Sequence, residues 1–157
     1  MLIRLIIISV AYTLVATACA SKRDDEPEQF TEAITTINGS VPTGELLPLQ
    51  DLETMLDTID ANGLRLVIMK GIRKAGTRVG IHIHKYGGHT CVISGEITDF
   101  VEGKEPQVYQ AGSCYYMPPN TPMSAANLGD EDAVLIDTFN LPEGEPTIII
   151  LEPNWPV

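Results

Sequence analysis

The chain is poor in positive charge. It has 10 lysines and arginines against 21 acidic residues, a net charge of −11. Binding nucleic acid needs a basic face to meet phosphate, so this balance argues against a nucleic-acid partner. It also disfavours anionic membrane surfaces. No Gly-x-Ser-x-Gly, no phosphate-binding glycine loop, no dinucleotide-binding glycine pattern and no Cys-x-x-Cys occurs. Serine hydrolase, nucleotide-binding and thioredoxin-like readings therefore lack support. Internal repeats, low-complexity tracts and heptad runs are absent as well. At 157 residues the length favours one domain.

The apolar run Leu5–Ala18 is short for a membrane span. It follows Arg4 and ends in Ala16-Thr17-Ala18-Cys19-Ala20, where small residues alternate. This pattern predicts a secretory leader over residues 1–20, cleaved before Ser21. Cys19 also resembles the lipidated cysteine of a bacterial lipoprotein, although Ala16 stands where leucine is usual. The chain is thus expected to be exported: periplasmic, secreted, or lipid-anchored at the cell surface. Residues 21–39 open with the charged, apolar-poor stretch Ser21–Glu28 and read as a flexible linker. The domain is expected over 40–157. Cys91 and Cys114 remain after the leader; an oxidising compartment permits a bridge, but two apolar buried thiols are the favoured reading.

Leu49, Leu52, Met55, Leu56 and Ile59 recur at helical spacing, which predicts a short helix from Gln50 to Asp60, ended by Asn62-Gly63. From Leu64 onward, short apolar runs alternate with turn signals. Strands are expected at 64–72, 78–84, 89–101, 107–110, 113–117, 123–127, 133–140 and 147–151, an all-β sandwich or barrel.

Histidine is scarcer still, and all three lie within eight residues: His82, His84 and His89. On a strand, residues i and i+2 share a face, so His82 and His84 aim two imidazoles at one point. Neutral imidazole is a common transition-metal ligand. Around the pair stand Gly76 and Gly95, and a second block carries Gly112, Pro118, Asn120, Met123 and Asn127.

These two blocks resemble the motifs of the cupin superfamily. The first motif there runs glycine, five residues, His-x-His, three or four residues, glutamate, six residues, glycine. Gly76, His82, His84 and Gly95 match it. The second runs glycine, five residues, Pro-x-Gly, two residues, histidine, three residues, asparagine; Gly112, Pro118 and Asn127 match. The resemblance implies a cupin-type jelly-roll β-barrel with a short N-terminal helix. It also implies a divalent transition metal (iron, copper, zinc, nickel or manganese) in the barrel. Two departures stand out: Gly88 takes the place of the glutamate, and Met123 that of the second-motif histidine, with Asn120 for the preceding glycine. The expected ligand set is His82 and His84, completed by His89 or Met123. His89 sits one residue past the glutamate position, so strand alternation turns it outward unless Gly87 and Gly88 supply a bulge. Met123 as a thioether would bias the site towards copper; as core filler it would bind nothing. Tyr86, Tyr115, Tyr116 and Met117 are candidate barrel-lining residues.

The function implied by resemblance is metal-dependent binding and turnover of a small organic molecule, with dioxygenase-like oxidation leading. The alternative is a non-catalytic periplasmic or surface module for a sugar, small ligand or metal ion. Cupins often form homodimers, and the apolar run Ile148–Leu151 offers an edge for one.

Overall fold

A computed structural model describes residues 33–156. The expected leader and the greater part of the expected linker lie outside these residues. Among the described residues the chain has twelve strands and no helix. They are β1 (Glu45–Leu46), β2 (Gln50–Ile59), β3 (Arg65–Arg73), β4 (Thr77–Arg78), β5 (His82–Ile83), β6 (Gly88–Ser94), β7 (Glu96–Val101), β8 (Gln107–Gln110), β9 (Cys114–Met117), β10 (Met123–Ala126), β11 (Ala133–Leu141) and β12 (Ile149–Ile150). No helix here is long and apolar enough to cross a membrane.

Two sheets enclose the core. One has the order β2-β3-β11-β6-β9; the other runs β1-β4-β10-β5-β12, with β7 on β10 and β8 on β7. Alternation decides what each strand gives the interior. On β6, Thr90 and Val92 are buried while His89 and Ile93 are exposed; on β11, Leu135, Phe139 and Leu141 are buried. The main core is built from Val67, Val92, Ile97, Val101, Met123, Leu135 and Phe139 with their neighbours. The all-β architecture expected from the strand spacing and the jelly roll implied by the resemblance are both observed.

The segment 50–60 is a correction. It is an edge strand, not a helix, and β2 pairs antiparallel with β3 from Gln50↔Ile72 to Ile59↔Arg65. Its register shifts twice, between Gln50 and Glu53 and between Thr54 and Leu56. Each bulge adds a residue and breaks period-two alternation. The apolar residues therefore fall at spacings of three and one, which imitate a helix. Leu52, Met55, Leu56 and Ile59 all remain exposed on it.

The motif residues make turns. Gly76, Gly95 and Gly112 have φ of 74°, 73° and 86°, where L side chains are strained. Asn120, in the slot of the family's glycine, has φ 53°. Asparagine tolerates this left-handed region better than most residues, so the substitution keeps the turn. Asn127 is buried and acts as a staple. Its amide donates to the carbonyls of Arg73 and Glu131 and its oxygen accepts from Gly129 N–H.

Cys91 and Cys114 are bonded to each other, which corrects the two-thiol expectation. They face one another directly across β6 and β9, with Cα atoms 4.0 Å apart. The bridge lies on the outer face, Cys91 half-buried and Cys114 exposed.

Candidate metal centre and barrel interior

His82 and His84 both point inward and are 4 % exposed. Their Nε2 atoms lie 3.1 Å apart. Each ring is held from behind by a carbonyl: His82 Nδ1 lies 2.8 Å from Gly80 O, and His84 Nδ1 lies 2.6 Å from Thr147 O. A carbonyl only accepts, so this network assigns the proton of each neutral ring to Nδ1. Both Nε2 atoms are then bare, and their lone pairs face each other. Protonation would relieve the contact, but burial opposes it. Burial, helped by the neighbouring His84 and opposed by the Gly80 carbonyl, pushes His82 down to about 3. Burial lowers His84 too. A shared cation is the other way to satisfy two converging lone pairs. Metal–nitrogen distances of about 2.0–2.1 Å would make a 3.1 Å separation subtend about 100°, an ordinary cis-ligand angle. Donation of the second ring nitrogen to a carbonyl is likewise how metal-bound histidines are oriented.

The C-terminal segment builds this support. β12 pairs with β5 at Ile150↔His82 and Ile149↔Ile83. Glu152 then anchors it: its carboxylate accepts from Arg78 Nη1 and Nη2 at 2.5 and 2.8 Å and from Ile81 N–H at 2.8 Å. Arg78 and the Glu152 side chain are both buried. Burial opposes the Glu152 charge, but Arg78 and the Ile81 amide together hold its carboxyl below the usual range. On the other side of the pair, Asn120 N–H donates to His84 O at 3.0 Å.

The remaining predicted ligands separate. Met123 is 1 % exposed and sits directly opposite His82 across β10 and β5. It is the neighbouring soft donor and also part of the core. His89 is placed on the outer face, exposed, with its ring 5.2 Å from that of Tyr116. The Gly87–Gly88 turn does not rotate it inward, so His89 is removed from the ligand set. Gly88 itself is inward, and the glutamate's volume is taken. A Cβ there would lie 2.7 Å from Phe139 Cδ1 and 2.8 Å from Met117 Cε. The Phe139 ring fills this space and packs on His84 at a centroid distance of 5.1 Å. Among the described residues, no group of three or more histidine, cysteine, aspartate or glutamate side chains is arranged to hold a metal. The two imidazole nitrogens converge at a separation that a shared cation would suit, and Met123 stands across the strand pair from His82.

The interior also holds polar residues that the motif comparison does not select. Met69, Asp137, Thr90 and Tyr115 form one row across β3, β11, β6 and β9. Thr90 Oγ1 donates to Asp137 Oδ1 at 2.6 Å. Burial raises Asp137, although the Thr90 hydroxyl and the charge of Arg73 act against the shift. Burial also raises Asp99 to about 7 and lifts Tyr115 far above its ordinary value, with Asp99 and Asp137 adding to the shift. Arg73 is 3 % exposed. Its Nη1 donates to Leu47 O, while its Nε has no partner. Tyr115 was a candidate lining residue; Arg73, Thr90, Asp99 and Asp137 were not. Their signal in the sequence is a polar residue on an otherwise apolar alternating face, as in Ile97-x-Asp99-x-Val101 and Leu135-x-Asp137-x-Phe139. Tyr86 and Tyr116 are exposed and do not line the interior.

Residues 72–139 match the family model of the cupin domain. The chain matches no curated protein by sequence. Solved structures with the same fold include an uncharacterised conserved protein with a double-stranded β-helix domain from Klebsiella pneumoniae, 21% identical. That match has a TM-score of 0.51 and covers 76% of this chain and 91% of the other. A cupin-like protein from Thermotoga maritima is 17% identical over 69% of this chain and 89% of that one, with a TM-score of 0.54. The DMSP lyase DddQ from Ruegeria pomeroyi is 16% identical over 78% and 62%, with a TM-score of 0.55. The jelly roll, the motif glycines at their turns and the paired inward histidines agree with these matches: residues 72–139 match the cupin domain, and the chain has the double-stranded β-helix fold of the solved cupin-like proteins.

Proposed function

We propose that this protein is an exported cupin that binds a divalent transition metal through His82 and His84 and acts on a small organic molecule inside the barrel. The observation that carries the reading is the pair of Nε2 lone pairs converging at 3.1 Å, each ring fixed by a carbonyl at Nδ1. Met123 would be the neighbouring third donor. A metal held there supplies Lewis acidity and orients a bound molecule. The chain's own residues do the rest. Phe139, Met117 and Met123 keep bulk water from the imidazoles. Asp99, raised to about 7, can hold or release a proton at its carboxylate near neutral pH. Dioxygenase-like oxidation remains the proposed reaction class, from the family resemblance. The solved relatives, which include a DMSP lyase and an oxalate decarboxylase, document other chemistry on the same fold. The non-catalytic binding module is the second reading, favoured by Phe139 standing where a carboxylate ligand would be. The leader-like pattern of residues 1–20 and the Cys91–Cys114 bridge support the export part of this reading. A homodimer is proposed with it, since the exposed apolar edge β2 is a ready pairing surface.

The test is metal content of protein purified from its native compartment, followed by zinc and copper titration. At a free metal concentration about 100 times Kd, stability should rise by about 2.7 kcal/mol. His82→Ala and His84→Ala should each abolish that rise. A double variant that still responds would place the metal elsewhere. Stoichiometric metal without turnover of any oxidisable ligand would move the binding module ahead.

A further inference from the structure

β3 and β11 lie inside the sheet β2-β3-β11-β6-β9 and carry unbroken apolar runs, Leu66–Met69 and Ala133–Ile136. A strand with one wet face alternates between apolar and polar residues. An unbroken run is the pattern of a strand covered on both faces. Inward, Val67, Ala133 and Leu135 close the core. Outward, Leu66, Ile68, Ile72, Val134 and Ile136 all keep part of their surface in water. Register sets these outward side chains next to one another. Ile72 stands opposite Val134, Leu56 of β2 opposite Ile68, and Ile136 opposite Lys70 on one side and Cys91 on the other. Ile93, 52 % exposed at the irregularity between β6 and β11, extends the patch.

Charge and area narrow what can cover this face. The chain has 21 acidic residues, yet the outward positions of β3, β11, β6 and β9 hold none. Lys70 is their one lysine or arginine, and Glu53 of β2 stands directly opposite it. A strongly charged partner, basic or acidic, therefore finds no counter-charge here. Elsewhere, the net charge of −11 makes two copies repel each other. This neutral face is where they can approach. Thr138, His89 and Tyr116 lie in one row towards its end and give it a polar rim. Five strands about 4.8 Å apart and four outward rows about 6.8 Å apart make a footprint of about 600 Å². A corrugated surface exceeds its projection, so the face is on the order of the ~800 Å² that each partner gives to a standard interface. Monomers rarely leave a contiguous, mainly apolar patch of that size in water.

We propose that this outer face packs, sheet on sheet, against the same face of a second copy, about a two-fold axis that passes near Ile68 and Ile136. The proposal rests on the homodimer reading above and gives it a surface: the contact is the face of the sheet, with Leu56 of β2 at its margin. Stacked sheets lie about 10 Å apart and interdigitate their side chains, which the branched residues of β3 and β11 suit. A two-fold contact uses one patch twice, so the patch must complement itself, and a neutral apolar face does. The histidine pair is left untouched, because β5 belongs to the other sheet.

The experiment is sedimentation equilibrium of the intact protein, purified from its native compartment, across a dilution series. The wild type should sediment at twice the chain mass and dissociate on dilution. Ile136→Lys sets a charge in the middle of the face and should raise the dimer Kd by at least about 30-fold, the loss expected at the centre of an interface. Ile136→Thr keeps the β-branch that suits a strand and should raise it by about tenfold; it serves if Ile136→Lys does not fold, as judged by circular dichroism. A wild type that is monomeric at every concentration removes the homodimer reading and this surface together. A wild-type dimer whose Kd is unchanged in both folded variants keeps the homodimer and removes this surface, placing the contact at the β2 edge or elsewhere.

Discussion

Asp99 gives the sharpest test of the interior's electrostatics. The side chain is 5 % exposed, and burial raises it to about 7 from an ordinary 3.8, against a small opposing pull from Lys104. The fold therefore binds a proton that the unfolded chain releases. The stabilising effect of that proton is fully present below about pH 4 and is lost as pH rises through about 7. Moving the ionisation from 3.8 to about 7 makes the loss about 4 kcal/mol. Against a typical total stability of about 5–15 kcal/mol, this is a large share. Asp99→Asn is nearly isosteric with the protonated acid and cannot ionise. Urea unfolding of the metal-free wild type and variant should give similar stabilities near pH 4, apart from a fixed offset for the amide. The variant should then gain on the wild type as pH rises, by up to about 4 kcal/mol near pH 8. The offset is independent of pH, so the slope is the diagnostic quantity. Parallel stability curves from about pH 4 to 8 would show that Asp99 ionises freely in the fold, and its use as a neutral-pH proton carrier would fail with that.

The close approach at Gly88 predicts that Gly88→Ala destabilises the protein by roughly 1–3 kcal/mol through overpacking against Phe139 and Met117. Adding Phe139→Leu should recover part of the loss in urea unfolding, and equal costs in both backgrounds would refute the packing account. Glu152→Ala leaves Arg78 buried without its counter-charge and should cost roughly 3–5 kcal/mol. Amide exchange at Ile81 and Leu151, whose hydrogen bonds tie the C-terminal segment to β5, should accelerate; unchanged exchange there would separate Glu152 from the support of the histidine pair.

What could be read from the sequence was local in the chain. His82 and His84 needed only the two-residue period of a strand, and Gly76, Gly95 and Gly112 needed only the demand of their turns for positive φ. Even His89 follows the simplest rule: on the strand that holds Thr90 and Val92 inward, it must face out. Errors arose where local pattern was ambiguous or contacts were remote. The two bulges of β2 spaced Leu52, Met55 and Leu56 like a helix, and only the β3 partner resolves the matter. Phe139 reaches the space beside His84 from a strand far along the chain, so no motif could announce it. Arg73, Asp99 and Asp137 reach the interior from three separated strands, and each alone looks like an isolated polar residue in an apolar run. The cysteine bridge depended on the register of β6 with β9, which composition does not fix.

The departures from the family pattern also hang together physically. Gly88 removes a carboxylate, and Phe139 fills the space without leaving a void. Asn120 keeps the turn that positions the His84 carbonyl. Thr147 and Gly80 still orient both imidazoles, and Glu152 still fastens the strap behind them. A core shaped for stability alone would replace this interior with apolar side chains, since burying His82, His84, Arg73, Asp99 and Asp137 costs free energy that packing must offset. Local rules broken at cost inside an otherwise consistent fold are where function is expected. The glutamate's carboxylate is missing beside the histidines, while Asp99 and Asp137 place two carboxyl groups on other strands of the barrel, where burial favours their neutral forms.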